Sequence, residues 1–260
     1  MLLEVQCQIA RKFSCYTIIA SGNVEVNGVV EGAKIIARGQ IILKRGIQGA
    51  GKGILQAQGA IVAKFIESAS VLTNSSITTE SILHSNVSAK GEIHVTGRKG
   101  MIVGGHVRSA ILIETQVAGS AMGGGTILEV GMDPIIQDRM KTLEKELRQL
   151  EIDRERAANM ITMFQKKKAK GQLSLDKVAE FQKILKEYSE MGKRLDQINP
   201  ELEQIYNSMD GIKDARVKVL RDAHPGVKLV IESEVYYIMA LEHFCQFYLG
   251  NDQLIKRASC

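Results

Sequence analysis

Short segments in which apolar and polar residues alternate recur through the first half of the chain. Six of them align, at intervals of 17, 20, 16, 16 and 18 residues: 21–26, 38–43, 58–63, 74–79, 90–95 and 108–113. The second position of each segment is Gly or Ser, which suits a sharp turn or a close backbone approach. The fourth position is always a β-branched aliphatic residue: Val24, Ile41, Ile61, Ile77, Ile93 and Ile111. Because the sixth position shares its side of the strand, one side is predicted to be buried.

A strand this short cannot bury its apolar side alone, so successive copies must stack on one another. A turn-rich repeat without helix signals therefore predicts a parallel β-solenoid. Further short strands between the aligned segments, at 33–37 and 87–89, indicate three sides per coil. The general preference for right-handed crossovers favours right-handed winding.

After Gly131 the apolar period changes from two residues to about 3.5, which predicts a coiled coil. Asp133 and Pro134 are a typical helix start. The seam of the first helix contains Ile136, Met140, Leu143, Leu147, Leu150, Arg154, Ala157, Ile161 and Phe164. The segment 166–174 breaks the pattern and predicts a short turn, so the two helices, of about 30 and 38 residues, should pair antiparallel within one chain.

The second helix is predicted to use Val178, Phe181, Leu185, Tyr188, Gly192, Leu195, Ile198, Leu202, Ile205, Met209 and Ile212. This seam steps out of phase between Leu195 and Ile198, just before Asn199 and Pro200. Since Pro inside a helix costs about 3 kcal/mol, we expect a kink or a helix restart there.

From residue 215 onward the pattern returns to short strands, which need partners to bury their apolar sides. The simplest arrangement is that the helices leave the solenoid and the C-terminal strands return to close its end. The predicted fold is thus mainly β with an α insertion. Its parts are a β-solenoid at 1–132, an antiparallel helical hairpin at 133–213, and C-terminal strands completing the solenoid at 214–260.

Composition further narrows the classes of function that are possible for this chain. The chain has 34 basic and 29 acidic side chains and a net charge of +5, a mild excess that does not argue for nucleic acid. Its cysteines, Cys7, Cys15, Cys245 and Cys260, form no C-x-x-C pair, so we expect reduced thiols and no metal site. No signal peptide is expected at 1–10, and no stretch is apolar enough to cross a bilayer. We expect a soluble cytoplasmic protein.

Two patterns deserve comparison with catalytic chemistry. Gly46-x-x-x-x-Gly51-Lys52 approaches a P-loop, but Gly53 replaces the Ser or Thr that would reach Mg²⁺, and another strand follows. A hexapeptide-like acyltransferase, the alternative enzyme, would use a His as general base. His84, His94 and His106 fall at different phases of the repeat and should not converge. We therefore expect no catalytic residues, no cofactor and no enzymatic activity.

Two groups of cations are candidate partner-binding residues. Lys166, Lys167, Lys168 and Lys170 concentrate positive charge at the predicted hairpin tip, where they could contact an acidic protein surface or anionic lipid headgroups. Arg98 and Lys99 at a solenoid corner suggest a similar role. A basic membrane-surface binder, with peripheral membrane contact, is thus a further alternative function. Arg154 in the seam is expected to set the register by pairing with a Glu.

Seven stretches, in this order, resemble the flagellar assembly protein A family. They are GVVEGA (28–33), GIQGAGKG (46–53), AKFIESA (63–69), ILHSNVSAKG (82–91), GRKGMIVGG (97–105), LEVGMDP (128–134) and HPGVKLVI (224–231). The resemblance implies a β-solenoid carrying a coiled-coil insertion, and a bacterial scaffold without catalytic activity. It further implies protein partners from the machinery of flagellar assembly or polar placement, and a location that includes the cell pole.

Overall fold

The chain forms two compact units in the computed structural model, which describes residues 7–9, 13, 14, 17–98, 100–170, 175–208, 212 and 214–260. One unit comprises Met1–Pro134 and Gly211–Cys260, and the other comprises Ile135–Asp210. The first contains the strands and the second the helices.

The described residues form strands that are short at the start of the chain and longer in its middle. Before the helices these are β1 (Cys7–Ile9), β2 (Phe13–Ser14), β3 (Thr17–Ala20), β4 (Val24–Val26), β5 (Val29–Glu31), β6 (Lys34–Ala37), β7 (Ile41–Leu43), β8 (Gly46–Ala57), β9 (Ile61–Thr73), β10 (Ile77–Ala89), β11 (Ile93–Val95), β12 (Met101–Ser109), β13 (Leu112–Ala118) and β14 (Thr126–Val130). Two helices follow, α1 (Pro134–Ala169) and α2 (Leu175–Ser208). The chain ends with β15 (Arg216–Ala223), β16 (Lys228–Ile231), β17 (Glu234–Tyr237), β18 (Glu242–Leu249) and β19 (Ile255–Ser259).

The strands up to β16 stack in parallel as a solenoid with three sides, as predicted. Side A contains β4, β7, the first parts of β9 and β10, β11, and the starts of β13 and β15. Side B contains β5, the start of β8, the middle of β9 and β10, and the start of β12. Side C contains β3, β6, the ends of β8, β9, β10 and β12, then β14 and β16.

Each side contributes stacked columns of buried side chains to the core, most of them aliphatic. On side A the column includes Val24, Ile41, Ile61, Ile77 and Ile93, all of which have no exposed surface. The register stacks each directly on the next. The prediction of the buried position is therefore confirmed for the first five aligned segments.

The sixth segment of the repeat lies two residues further along the chain than the pattern predicts. Ile93 pairs with Ile113 rather than with Ile111. Ile113 is fully buried, whereas Ile111 is 39% exposed. The local alternation of apolar and polar residues fits either register, so backbone pairing with the preceding coil decides between them. The resulting spacing from Ile93 to Ile113 is 20 residues, the same as from Ile41 to Ile61.

The small residue at the second position is explained by stacked corners between sides C and A. The Gly91 amide donates a hydrogen bond to the Ser75 carbonyl at 3.0 Å, and the Gly59 amide donates to the Gly39 carbonyl at 3.0 Å. A Cβ at Gly91 would lie 3.0 Å from backbone atoms of Ser75. Consecutive corners are thus too close for a larger side chain.

After the helical insertion in the sequence, the C-terminal strands rejoin the solenoid. β15 extends β13 and β16 extends β14, both in parallel. β17 and β18 then run antiparallel to β16 and β15, and β19 pairs with β18. At this end Phe247 is fully buried, and its ring centroid lies 5.7 Å from that of Tyr236.

The helices pair as an antiparallel hairpin. Near the turn, the ring centroids of Phe164 and Phe181 are 5.6 Å apart. Near the other end, Leu143 packs with Ile198 and Leu202. Ion pairs support this arrangement: Arg194 Nε donates to Glu146 at 2.7 Å, and Arg139 Nε donates to Glu201 at 2.8 Å. The hydrogen bond from Arg194 lowers the pKa of the Glu146 carboxyl.

The seam of α1 contains the predicted positions from Met140 to Phe164, but Ile136 is only half-buried and lies outside the packed clusters, and the predicted seam of α2 is also partly wrong. Ile184 is buried and Leu185 is 40% exposed, so the buried residue is the neighbour of the one predicted. With Ile184 and half-buried Met191, the steps alternate regularly between three and four residues from Phe181 to Ile205. The expected phase break disappears. Met209 lies outside the described residues, and Ile212 lies beyond the end of α2.

Pro200 does not restart the second helix. It lies inside α2, exposed to solvent, between the buried residues Ile198 and Leu202. Burying these two aliphatic side chains is worth about 1.5–3 kcal/mol each, which offsets the cost of about 3 kcal/mol for an interior Pro. Of the two predicted outcomes, a kink or a helix restart with Asn199 as cap, the restart is therefore wrong.

Arg154 stacks on an aromatic ring instead of pairing with a Glu. Its guanidinium carbon lies 4.9 Å from the ring centroid of Tyr188. Among the described residues its buried Nε has no hydrogen-bond partner. An unpaired buried donor costs about 1–3 kcal/mol, whereas a cation–π contact returns about 0.5–1 kcal/mol when the cation, as in half-buried Arg154, is still partly in water.

We expect Arg154→Leu to stabilise the hairpin by about 1 kcal/mol, because Leu fills a seam position without a buried donor. Urea unfolding followed by the helical circular dichroism signal measures the change. Exposed Arg148→Leu is the matched control and should shift stability by less than about 0.5 kcal/mol. A destabilised Arg154→Leu protein would show that the stacking on Tyr188 outweighs the unpaired Nε.

Candidate functional site

The four lysines of the predicted hairpin tip lie at the end of α1 and in the turn after it. Lys166, Lys167 and Lys168 form the last turn of the helix, which continues to Ala169, further than predicted. Lys170 is exposed in the turn. Among the described residues none of the four forms an ion pair. Their cations stabilise the negative end of the helix dipole, and they leave a concentrated positive charge open to solvent.

Two methionines extend this basic surface along the helix. Met160 and Met163 are 40% and 46% exposed. They precede Lys167 by seven and four residues, so one side of α1 carries both apolar and basic groups. The apolar seam pattern does not include these methionines, because they lie beside the seam. Their helical spacing from the lysines is the sequence signal that could have identified them.

Arg98 belongs to a second basic surface, at the corner where the chain passes from side A to side B. Successive coils place Lys44, Arg45 and Lys64 at the same corner, all exposed. We call Lys44, Arg45, Lys64 and Arg98 the basic corner. Among the described residues, Lys44 is paired with Glu25 at 2.7 Å, while Arg45, Lys64 and Arg98 form no ion pair. Lys99 lies outside the described residues.

A shallow depression on side A borders this corner, and we call it the corner groove. Its floor includes Ile42, Val62 and Thr78, and its rim includes Lys44, Lys64 and Glu80. The floor residues occupy neighbouring positions in three successive strands and point away from the core, opposite to Ile41, Ile61 and Ile77. Stacking of coils brings Lys44 and Lys64 together although 20 residues separate them. The coil register could have revealed this surface from the sequence.

The segment that approaches a P-loop lies within β8 and is followed by β9. It therefore lacks the helix whose N-terminus would hold a phosphate. The three histidines weighed as general bases, His84, His94 and His106, lie on different parts of the solenoid. His84 occupies a corner with φ +46°, His94 Nε2 is 2.8 Å from Glu92 on side A, and His106 Nε2 is 2.6 Å from Glu129 on side C.

Two cysteines are free thiols near the solenoid end. Burial raises the pKa of the Cys245 thiol to about 11, and burial also raises the pKa of Cys260. Cys7 lies in β1 and Cys15 is outside the described residues. Within the described part of the chain, His, Cys, Asp and Glu side chains form no group of three or more that could hold a metal ion. Neither described helix is apolar enough over a sufficient length to span a membrane.

These features define a class of protein, a parallel β-solenoid interrupted by an antiparallel coiled coil, with two basic surfaces. The chain matches the model of the Flagellar Assembly Protein A β-solenoid domain over residues 14–255. It belongs to this flagellar assembly family. Neither the curated proteins nor the solved structures contain a significant match.

Proposed function

We propose that this chain is a non-enzymatic scaffold of bacterial flagellar assembly. It holds partner proteins at fixed positions in the cytoplasm, including the cell pole. The family match is the observation that carries this proposal. The stacked core supports it as well, because a column of fully buried aliphatic side chains makes a rigid frame suited to fixed spacing. The separate positions of the three histidines support the absence of acyltransferase activity.

The hairpin tip is the proposed contact for one partner. Its four lysines lie beyond the packed Phe164–Phe181 layer and form no ion pairs among the described residues. A cation without an ion pair is available for binding an acidic protein surface, even where it also lies at the negative end of a helix dipole. The exposed Met160 and Met163 favour a second candidate, contact with anionic lipid headgroups, because apolar and basic groups share one helix face.

We expect replacement of Lys166, Lys167, Lys168 and Lys170 by Gln to weaken motility and polar localisation without unfolding the protein. Each surface substitution changes stability by less than about 0.5 kcal/mol, and the lost dipole interactions concern only the last turn of α1, so the variant should stay folded with a thermal melt close to that of the wild type. A deletion strain of the flagellated host, complemented with a fluorescent fusion, provides both cellular readouts. Sedimentation with anionic liposomes distinguishes lipid contact from protein contact.

Four other exposed lysines of the same helices provide the control. Lys141, Lys145, Lys186 and Lys193 replaced by Gln give an equal charge change away from the tip, and this variant should behave as wild type. If the tip variant folds normally and restores full motility and localisation, the tip has no part in the function.

A further inference from the structure

The corner groove combines an apolar floor with unpaired positive charge. Val62 is 42% exposed, and Ile42 beside it is half-buried. Most outward positions of a solenoid strand are polar, because they face water. Two adjacent β-branched aliphatic residues on the outside therefore form a small surface that association with an apolar group would stabilise.

The charge around the groove selects the partner. Lys64, Arg45 and Arg98 have no acidic partner among the described residues. Lys44 Nζ forms an ion pair with Glu25 Oε1 at 2.7 Å. Glu80 is the carboxylate on the rim, and Glu25 lies on the same side of the solenoid. The surplus of cations at this corner attracts negatively charged groups and repels basic ones.

We propose that the corner groove binds an acidic segment of a partner protein that also carries aliphatic side chains. This inference rests on the proposed scaffold function and names the chemistry of one partner. Aliphatic side chains of the segment cover Val62 and Ile42, while its carboxylates pair with Lys64, Arg45 and Arg98. With coils about 4.8 Å apart, the floor from Ile42 to Thr78 spans about 10 Å, which a few extended residues cover.

The recessed floor favours a protein segment over a membrane. Ile42 lies half-buried between the Lys44 rim and the neighbouring coils, so a flat bilayer would meet the lysines before it met the apolar floor. Interfacial membrane anchors instead project their large apolar side chains from the surface. Nucleic acid would use the cations but leave the aliphatic floor uncovered, since base stacking needs aromatic side chains.

The test measures binding of a fluorescent peptide with three repeats of Asp-Val-Glu-Leu to the purified full-length chain by anisotropy. Two comparison peptides replace Val and Leu by Ser, or Asp and Glu by Lys. We expect the Ser peptide to bind about tenfold more weakly and the Lys peptide not to bind, because each loses one of the two complementary features.

Variants of the chain locate the binding site. Arg45→Gln, Lys64→Gln and Arg98→Gln together should weaken binding of the first peptide at least about tenfold, and Val62→Thr, which keeps shape and strand propensity, should weaken it several-fold. Lys34, Arg38 and Lys52, exposed at other places on the solenoid, replaced by Gln are the charge-matched control and should bind as wild type.

Equal binding of the acidic peptide and its Ser version, or equal loss in the control variant, would overturn the proposal in favour of unspecific charge attraction. Binding of anionic liposomes or single-stranded DNA without peptide binding would overturn it in favour of another partner class. The assay uses purified protein and leaves the hairpin untouched. Its failure is therefore distinct from failure of the scaffold function, which the motility and localisation experiment tests.

Discussion

Replacing Ile93 by Asp is expected to unfold the solenoid and to abolish function with it. Ile93 has no exposed surface and stacks between Ile77 and Ile113 in the side A column. A carboxylate there would be buried without a partner, at a cost comparable with the total stability of a domain, about 5–15 kcal/mol. Ile61, which is equally buried, should respond in the same way.

Circular dichroism and size-exclusion chromatography of Ile93→Asp would show the loss of strand structure. Ser70→Asp is the control, because Ser70 is exposed on side C and its carboxylate would remain in water. We expect this control to keep the wild-type melt. A folded Ile93→Asp protein with a normal melting temperature would contradict the stacked core.

Phe247→Ala should produce the second largest effect, because it empties the closed end of the solenoid. The ring is fully buried, pairs across from Val217 and lies against Tyr236. Truncating a buried Phe costs about 3–5 kcal/mol, through lost burial and the cavity that remains. We expect a lower urea midpoint and faster amide exchange in β15 and β16, the last parallel coil.

Phe244→Ala is the matched control for this substitution. The Phe244 ring is 59% exposed, so its removal should change stability by less than about 1 kcal/mol. If Phe247→Ala unfolded at the same urea concentration as the wild type, the prediction would be wrong. The antiparallel strands β17 and β18 would then not stabilise the end of the solenoid.

The hydrophobic pattern predicted most of the solenoid and the first helix. Val24, Ile41, Ile61, Ile77 and Ile93 form one buried column because their side chains share a strand face and a repeat position. The seam of α1, from Met140 through Leu143 to Phe164, followed from local spacing in the same way. In both cases one arrangement buries far more apolar surface than any other, so local periodicity suffices.

The C-terminal closure was predicted only in part. Strands near β15 to β18 were expected from their apolar runs, whereas β19 was missed. Its sequence, Ile255-Lys-Arg-Ala-Ser259, has no apolar alternation. It becomes a strand because β18 offers it unpaired backbone groups, and Lys256 and Arg257 suit an edge strand.

The two basic surfaces also differ in how far the sequence alone could predict them. Lys166 to Lys168 are adjacent in the sequence, so their charge could be recognised without a fold. The basic corner could be recognised only from the coil register, because Lys44 and Lys64 become neighbours through the stacking of coils. Val62 likewise gains significance only when Ile42 of the preceding coil lies beside it.

Sequence by itself determined the architecture: a stacked three-sided solenoid, a hairpin inserted after Gly131, and a return to strand. Tertiary structure decided the choices between near-equal local alternatives. Ile113 rather than Ile111 is buried because Ile93 pairs with it across the coil. Ile184 rather than Leu185 is buried because Phe181, Ala157 and Phe164 surround it. Arg154 rests on Tyr188 because of the register of the opposite helix. Each alternative differs by one or two residues and buries a similar area locally, so contacts distant in the sequence decide between them.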